Sequence, residues 1–170
     1  MSARYLNHIL TLKYFSNGHY ASLAKDIYGD EEDDYEYNQS LTEIDRLFAD
    51  ESYRFPNNTI LFKGIGRDPF YEILNLKNLS LNDKITFPGF LSTSVCKEKA
   101  ESFSLGDTKI LLKILKINDI PAIVPQNICV LNSQTRTIPE QEILLNRNSS
   151  FRVSEQYPDK GFHVIVLEGF

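Results

Sequence analysis

The sequence has no tryptophan, few cysteines and no long run of apolar residues. Its two cysteines, Cys96 and Cys129, lack a zinc-ligand spacing and are too few for a disulfide framework, so we expect free thiols in a reducing compartment. No apolar run approaches the roughly 20 residues that a membrane helix needs. Residues 1–15 lack the basic-then-apolar layout of a signal peptide. We therefore expect a protein that acts in a cytoplasm, without a membrane partner.

An excess of basic residues is also absent. The 170 residues carry a formal net charge of -5, which argues against non-specific binding to nucleic acid through its phosphates. The hydrophobic fraction of 42% and the charged fraction of 24% are typical of a globular protein. We find no repeat, no linker and no metal-ligand cluster in the sequence. The length therefore predicts a single domain over residues 1–170 with no metal site.

The order of the predicted elements indicates the fold class. Apolar residues at helical spacing predict helices at residues 6–15, 20–28 and 41–48, so that residues 1–55 form a helical part. Residues 56–170 are rich in strand-forming residues, and the segment 109–117 is apolar on both faces, as in a central strand. Helices followed by strands predict an α+β domain with mainly antiparallel strands. The other predicted strands lie at 59–62, 84–87, 89–95, 143–145, 150–155 and 162–167, with short helices at 68–76 and 97–104.

Polar residues lie at the ends of three predicted strands. Lys63 and Gly64 follow the first strand, which the glycine is expected to stop. Ser92–Ser94 lie at the end of the second strand, and Glu140 and Glu142 lie just before the third. In an extended strand, residues i and i+2 point to the same face, so the two glutamates would project together. Cations and hydroxyls bind phosphate, and a carboxylate can stabilise a developing cation. The three segments could therefore converge on one cleft.

Each segment also has an ordinary structural interpretation. The two glutamates fit a strand edge that faces water, and Lys63 fits a surface lysine. Gly64 fits a turn. The hydroxyls of Ser92–Ser94 fit a cap on the helix that starts near Lys97. Taken one at a time, the segments do not decide between structure and function.

In this order the three segments resemble the mono-ADP-ribosyltransferases with an Arg–Ser-Thr-Ser–Glu-x-Glu pattern, related to cholera-type and binary toxins and to phage-encoded transferases. The resemblance spans residues 59–153. It implies the ADP-ribosyltransferase fold, with N-terminal helices followed by two packed, mainly antiparallel sheets around an NAD cleft. It rests on Phe62-Lys63-Gly64, on Gly89–Ser94 with Ala100 and Phe103 in the next helix, and on Glu140–Leu145 with Phe151–Val153 beyond.

The resemblance implies an enzyme that cleaves the nicotinamide glycosidic bond of NAD, its co-substrate, and passes ADP-ribose to an arginine of a target protein. Glu142 looks like the family's catalytic glutamate, which stabilises the positive charge that develops on the ribose. Glu140 matches the first acid of the pair, which in the family goes with arginine acceptors. A carboxylate can pair with a guanidinium through two hydrogen bonds. Ser92 would orient Glu142.

The resemblance also assigns residues to NAD binding. Thr93 and Ser94 would shape the floor of the nicotinamide pocket, and Gly64 would let the backbone approach the nicotinamide amide. Phe103 would pack near the nicotinamide ring or in the core. Two loops complete the implied site: residues 132–139 would contact the target, and residues 104–108 would close over the phosphates.

One position departs from the pattern, because Lys63 stands where the family has arginine. Lysine keeps the charge but loses the planar fork that holds two oxygens at once. Lysine could suffice with a weaker grip, Arg67 could supply the missing contact, or the protein could be catalytically impaired. The alternatives to a transferase acting on arginine are a non-catalytic NAD- or partner-binding module, an NAD glycohydrolase and a nucleic-acid ADP-ribosyltransferase. The sequence fits a phage protein or an injected bacterial effector.

Overall fold

A computed structural model of the chain describes residues 42, 45–51, 56, 58–65, 75–87, 90–104, 109–116, 120–123 and 142–169, with only the backbone at positions 116 and 142. The predicted helices at 6–15 and 20–28, and all of 68–76 except its last two residues, lie outside these ranges. Residues 42 and 45–49 are helical, in agreement with the third predicted helix. None of the helices in the described ranges has the length and apolar character needed to span a bilayer.

Eight strands, one α-helix and one 3-10 helix follow the helical residues 45–49. All seven predicted strands are present with ends that differ from the predicted ones by at most four residues, and one further strand, β5, was not predicted. The elements are β1 (Thr59–Ile65), the 3-10 helix (Leu76–Asn78), β2 (Lys84–Phe87), β3 (Leu91–Ser94), α1 (Lys97–Ser102), β4 (Lys109–Lys116), β5 (Ala122–Ile123), β6 (Glu142–Leu145), β7 (Ser149–Asp159) and β8 (Phe162–Gly169).

The strands are hydrogen-bonded in the order β2-β7-β8-β4-β1-β3-β6-β5. Of the described strand pairs, β4 and β8 run parallel and the others run antiparallel. The mixed, mainly antiparallel α+β fold is therefore confirmed. Two separate sheets were predicted, whereas the structure has one continuous order. Within the described residues, β1 and β3 share a single register pair, Phe62 with Ser94, so the sheet divides there into a five-stranded and a three-stranded part.

Strand β4 occupies the centre of the five-stranded part, as its apolar sequence predicts. It pairs with β1 over one edge and with β8 over the other, through seven register pairs each. Its side chains are buried on both faces, because Ile110, Leu112 and Ile114 belong to the main core and Leu111 belongs to a smaller cluster with Ala100 and Val164. Helix α1, which carries Ala100, thus covers the second face of the sheet.

Gly64 was expected to stop β1, and this prediction is wrong. The strand continues to Ile65, because Gly64 pairs with Leu111 of β4. A Cβ atom at Gly64 would lie 1.9 Å from the carbonyl oxygen of Ala100 in α1 and 2.9 Å from the backbone nitrogen of Ser104. Since both neighbours are backbone atoms, only a glycine lets α1 lie this close to β1.

The helical residues 45–49 contact the end of the three-stranded part. Leu47 and Phe48 are buried, and the ring of Phe48 stacks on that of Phe90 with centroids 5.6 Å apart. Arg147, in the turn between β6 and β7, forms an ion pair with Asp45. These contacts place the helical residues beside the strands that carry the second and third polar segments.

Candidate active site

The strand register brings the three polar segments together. Ser94 of β3 pairs with Phe62 of β1 on one side and with Glu142 of β6 on the other. Neighbouring strands lie about 4.8 Å apart, so the backbones of Phe62 and Glu142 are separated by roughly 10 Å. Lys63 follows Phe62 directly. The convergence expected from the sequence is therefore present for the backbones of Lys63, Ser94 and Glu142.

Lys63 joins the first segment to the second through its side chain. Its ammonium group donates a hydrogen bond of 3.1 Å to the carbonyl oxygen of Ser92, and the lysine is half-buried. Lys63 and Ser92 also make further interactions. The contact fixes a positive charge at the junction between β1 and β3, where the backbone ladder contributes only one register pair.

The hydroxyl of Thr93 has a structural partner. Thr93 is 4% exposed, and its hydroxyl donates to the carbonyl oxygen of Ile143 at 2.7 Å. This bond holds β3 to β6, one residue away from the register pair between Ser94 and Glu142. The predicted contribution of Thr93 to a nicotinamide pocket stays a prediction.

The hydroxyl of Ser94 holds the turn that leads into α1. Ser94 is 7% exposed, and its Oγ accepts a hydrogen bond of 3.0 Å from the backbone N–H of Cys96. Cys96 is the N-cap residue of α1. Ser94 lies two residues before the helix cap and binds the N–H of the cap residue, so it supports the turn into the helix, close to the capping role considered from the sequence. The thiol of Cys96 is free, as predicted, and Cys129 lies outside the described residues.

Phe103 lies at the end of α1 and is 50% exposed. Its backbone N–H donates to the carbonyl oxygen of Ala100 at 3.1 Å and so closes the helix. The core position considered for its side chain is wrong, since half of the residue is open to solvent. The residue therefore offers an exposed aromatic surface directly after α1.

Part of the predicted site lies outside the described side chains. Glu140, Arg67 and the loop at residues 132–139 lie outside the described residues, and Glu142 is described by its backbone alone. No group of histidine, cysteine, aspartate or glutamate side chains within the described ranges could hold a metal ion. The roles of these residues stay predictions.

An ion pair next to the polar segments was missed by sequence reasoning. The ammonium group of Lys97, at the start of α1, lies 2.6 Å from the Oδ2 of Asp159 and 3.4 Å from the Oε1 of Glu101. The hydrogen bond to Asp159 raises the pKa of Lys97, and the same bond lowers the pKa of Asp159. Glu101 follows Lys97 at a spacing of four and was detectable in the sequence. Asp159 was not, because 62 residues separate it from Lys97.

The described residues fit NAD as a co-substrate. The ammonium group of Lys63 and the Ser92 backbone that it contacts lie on adjacent strands at one junction, beside the position of Glu142. A cation suits the phosphate oxygens of NAD. The exposed ring of Phe103 adds an apolar surface on the following helix.

Comparison with known proteins identifies the family. The family model of the ADP-ribosyltransferase exoenzymes matches residues 17–169. No curated protein matches the chain. Among solved structures, the chain is similar to the Vis toxin, an ADP-ribosyltransferase from Vibrio splendidus, with 16% identity, a TM-score of 0.67, and coverage of 99% of this chain and 74% of that one.

Two further structures share the fold. Exoenzyme S from Pseudomonas aeruginosa, in complex with human 14-3-3 protein beta and bound to carba-NAD, is 22% identical, with a TM-score of 0.64 and coverage of 95% and 72% of the two chains. The Clostridium limosum C3 exoenzyme is 19% identical, with a TM-score of 0.64 and coverage of 100% and 86%. The family match extends over nearly the whole chain, including all eight strands. The chain belongs to the ADP-ribosyltransferase exoenzyme family, and NAD is its co-substrate.

Proposed function

We propose that the chain transfers ADP-ribose from NAD to an arginine of a target protein, in the cytoplasm of a host or target cell. The observation that carries the proposal is the row formed by Phe62, Ser94 and Glu142 on three neighbouring strands. The row supports one site, because it sets the backbone of Glu142 next to Ser94, and Ser94 next to the residue that precedes Lys63.

Glu142 is the proposed catalytic residue. Breaking the bond between ribose and nicotinamide develops positive charge on the ribose, and a carboxylate held nearby lowers the energy of that state. Ser92, two residues from the register partner of Glu142, is the proposed group that orients it. Lys63 supplies a positive charge for the phosphates of NAD, and its bond to the Ser92 carbonyl supports this position at the strand junction. Arg67 is a second proposed phosphate contact.

Glu140 is the proposed acceptor-binding residue. Its carboxylate lies two residues before Glu142 in the sequence and can pair with a guanidinium group through two hydrogen bonds. A structure of Vis, which is 16% identical to this chain and has a TM-score of 0.68, is in complex with agmatine. Agmatine ends in the same guanidinium group as arginine. This supports arginine as the acceptor, with a basic guanidinium presented by the target protein.

The test uses purified protein, labelled NAD and a cell lysate. Glu142→Gln should lower both NAD hydrolysis and protein labelling by at least about 100-fold, because the charge that stabilises the ribose is lost. Glu140→Gln should abolish labelling of arginine and keep much of the hydrolysis. Glu155→Gln is the control, since Glu155 is an exposed residue of β7. Mass spectrometry of the labelled products identifies the modified residue. Equal loss of both activities in Glu140→Gln would contradict the proposed division of roles.

A non-catalytic binding module is the second candidate, and Lys63 is the observation that favours it. A lysine contacts an oxygen through a single point, whereas the arginine of the family pattern grips two. Binding of NAD without hydrolysis or labelling would establish the module. Lys63→Arg should tighten NAD binding if lysine holds the phosphates of NAD less strongly than arginine does. Unchanged binding would indicate that Arg67 supplies the phosphate contact. Labelling of RNA or DNA, or hydrolysis alone, would establish one of the other two alternatives.

A further inference from the structure

Helix α1 contacts two of the three polar segments of the proposed site. The turn before the helix is held by the hydrogen bond from the Cys96 backbone to Ser94 Oγ. The middle of the helix lies on Gly64, where a single Cβ would come within 1.9 Å of the Ala100 carbonyl oxygen. A displacement of α1 would therefore change the surroundings of both segments.

The end of α1 is anchored as well. Ser104 is 5% exposed, and its hydroxyl donates to the carbonyl oxygen of Ile110 in β4 at 3.1 Å. Phe103, immediately before it, presents its ring to solvent. The position of α1 thus sets the position of the exposed ring.

Helix α1 is six residues long, so its own hydrogen bonds do not hold it in place. Helices shorter than about 12 residues are marginal in water, and their stability in a protein comes from tertiary contacts. The ion pair between Lys97 and Asp159 is such a contact. It runs from the first residue of α1 to the last residue of β7, and the two side chains are each 32% exposed.

The hairpin of β7 and β8, which carries Asp159, is held by a long ladder of backbone hydrogen bonds. Strands β7 and β8 share eight register pairs, and the turn between them consists of Lys160 and Gly161, both with positive φ, at 48° and 85°. Positive φ at both central residues is typical of the tight turns that match the twist of a hairpin. Asp159 therefore offers a fixed carboxylate to the start of α1.

We infer that Lys97 and Asp159 are positioning residues for NAD binding, which act by holding α1 on Gly64. The inference rests on the proposed site, and it assigns no contact with NAD to either residue. Lys97 also contacts Glu101, but that contact lies within α1 and ties the helix only to itself. Removing each carboxylate partner of Lys97 in turn therefore distinguishes two effects. Loss of Asp159 removes a contact between α1 and the sheet, whereas loss of Glu101 removes a contact within the helix.

The experiment compares Asp159→Asn with Glu101→Gln in the full chain. Asp159→Asn should raise the dissociation constant and the KM for NAD roughly threefold, since exposed ion pairs contribute modestly. The kcat of NAD hydrolysis should stay at the wild-type value. Glu101→Gln should leave both constants unchanged. Asp159→Glu should restore wild-type NAD binding, because it keeps the carboxylate.

Hydrogen exchange gives a readout that does not depend on turnover. The amides of α1 should exchange faster in Asp159→Asn than in Glu101→Gln. The control is Glu168→Gln, which removes a 3.9 Å ion pair between Arg152 of β7 and Glu168 of β8. It should change neither the hydrogen exchange of α1 nor the binding of NAD. If Asp159→Asn does not fold, Lys97→Met takes its place.

Equal NAD binding in Asp159→Asn and wild type, or equal effects of Asp159→Asn and Glu101→Gln, would overturn the inference. An inactive wild-type protein that still binds NAD would overturn the proposed transferase instead. The difference in NAD affinity between the variants would still be measured by titration in that case, so the two failures are distinguishable.

Discussion

The two parts of the sheet are held together differently. In the five-stranded part, β4 has seven register pairs with each neighbour, and β7 and β8 have eight. In the three-stranded part, β3 and β6 share four pairs, and β5 adds two. The proposed catalytic segments lie in the shorter part and at its junction with β1. The long strands form the frame, and the short strands carry the proposed catalytic residues.

Side-chain hydrogen bonds compensate for the shorter ladders. Thr93 bonds to the backbone of β6, Ser94 to the turn before α1, and Lys63 to the backbone of β3. The frame relies instead on apolar side chains that are buried on both faces of β4. The residues that the family resemblance assigns to NAD therefore also stabilise the strands on which they lie. A substitution there should change NAD binding and local structure together.

The largest expected effect on stability is in the frame. Ile114→Ala removes a fully buried side chain from the main core, and should lower the free energy of unfolding by about 2 to 5 kcal/mol, through lost apolar burial and the cavity left behind. Urea denaturation measures the change. NAD affinity of the folded fraction should stay at the wild-type value. A large loss of NAD affinity in the folded protein would contradict the idea that the five-stranded part contributes to stability and not to NAD binding.

A smaller effect on stability is expected in the short strands. Thr93→Val keeps the side-chain shape but removes the hydrogen bond to the Ile143 carbonyl, so stability should fall by about 1 kcal/mol. The KM for NAD should rise, because the bond holds β3 against β6. Calorimetry and NAD hydrolysis measure the two effects. Thr86→Val, which affects an exposed hydroxyl pair with Ser150 outside the site, is the control. Unchanged NAD affinity in Thr93→Val would limit Thr93 to a structural role.

The smallest effect is the pH dependence of the ion pair that tethers α1 to β7. Lys97 and Lys160 lower the pKa of Asp159, so the stabilisation is present above the ordinary aspartate range, about pH 4, and is lost as pH falls through the lowered value. Asp159 and Glu101 raise the pKa of Lys97, so the stabilisation is present below the ordinary lysine value of 10.5 and is lost as pH rises through the raised value.

Thermal melts of the wild type and Asp159→Asn test this dependence. The difference in Tm between the two proteins should be constant through the neutral range and should shrink at both extremes of pH. Melts of Glu101→Gln over the same range are the control for the contact within α1. A difference that grows on acidification would contradict the assignment of the tether to an ionised Asp159.

The sequence by itself determined the local elements and the family. Strands β1 to β4 and β6 to β8 follow from runs of strand-forming residues, and the central place of β4 follows from apolar side chains on both faces. Strand β5 was missed because two residues, Ala122 and Ile123, are too short to show a period. The order of Lys63, Ser92–Ser94 and Glu140–Glu142 predicted the family, since each segment lies within a few consecutive residues.

Only the tertiary structure decided the partners of these residues. The sequence left open whether Ser92–Ser94 bind a ligand or cap a helix, and the structure gives Thr93 and Ser94 different backbone partners. It also requires a glycine at position 64 because α1 lies against it, and it brings Lys97 to Asp159. Local sequence patterns report burial and backbone preference within a few residues. Contacts between segments 29 to 62 residues apart depend on how the strands pair.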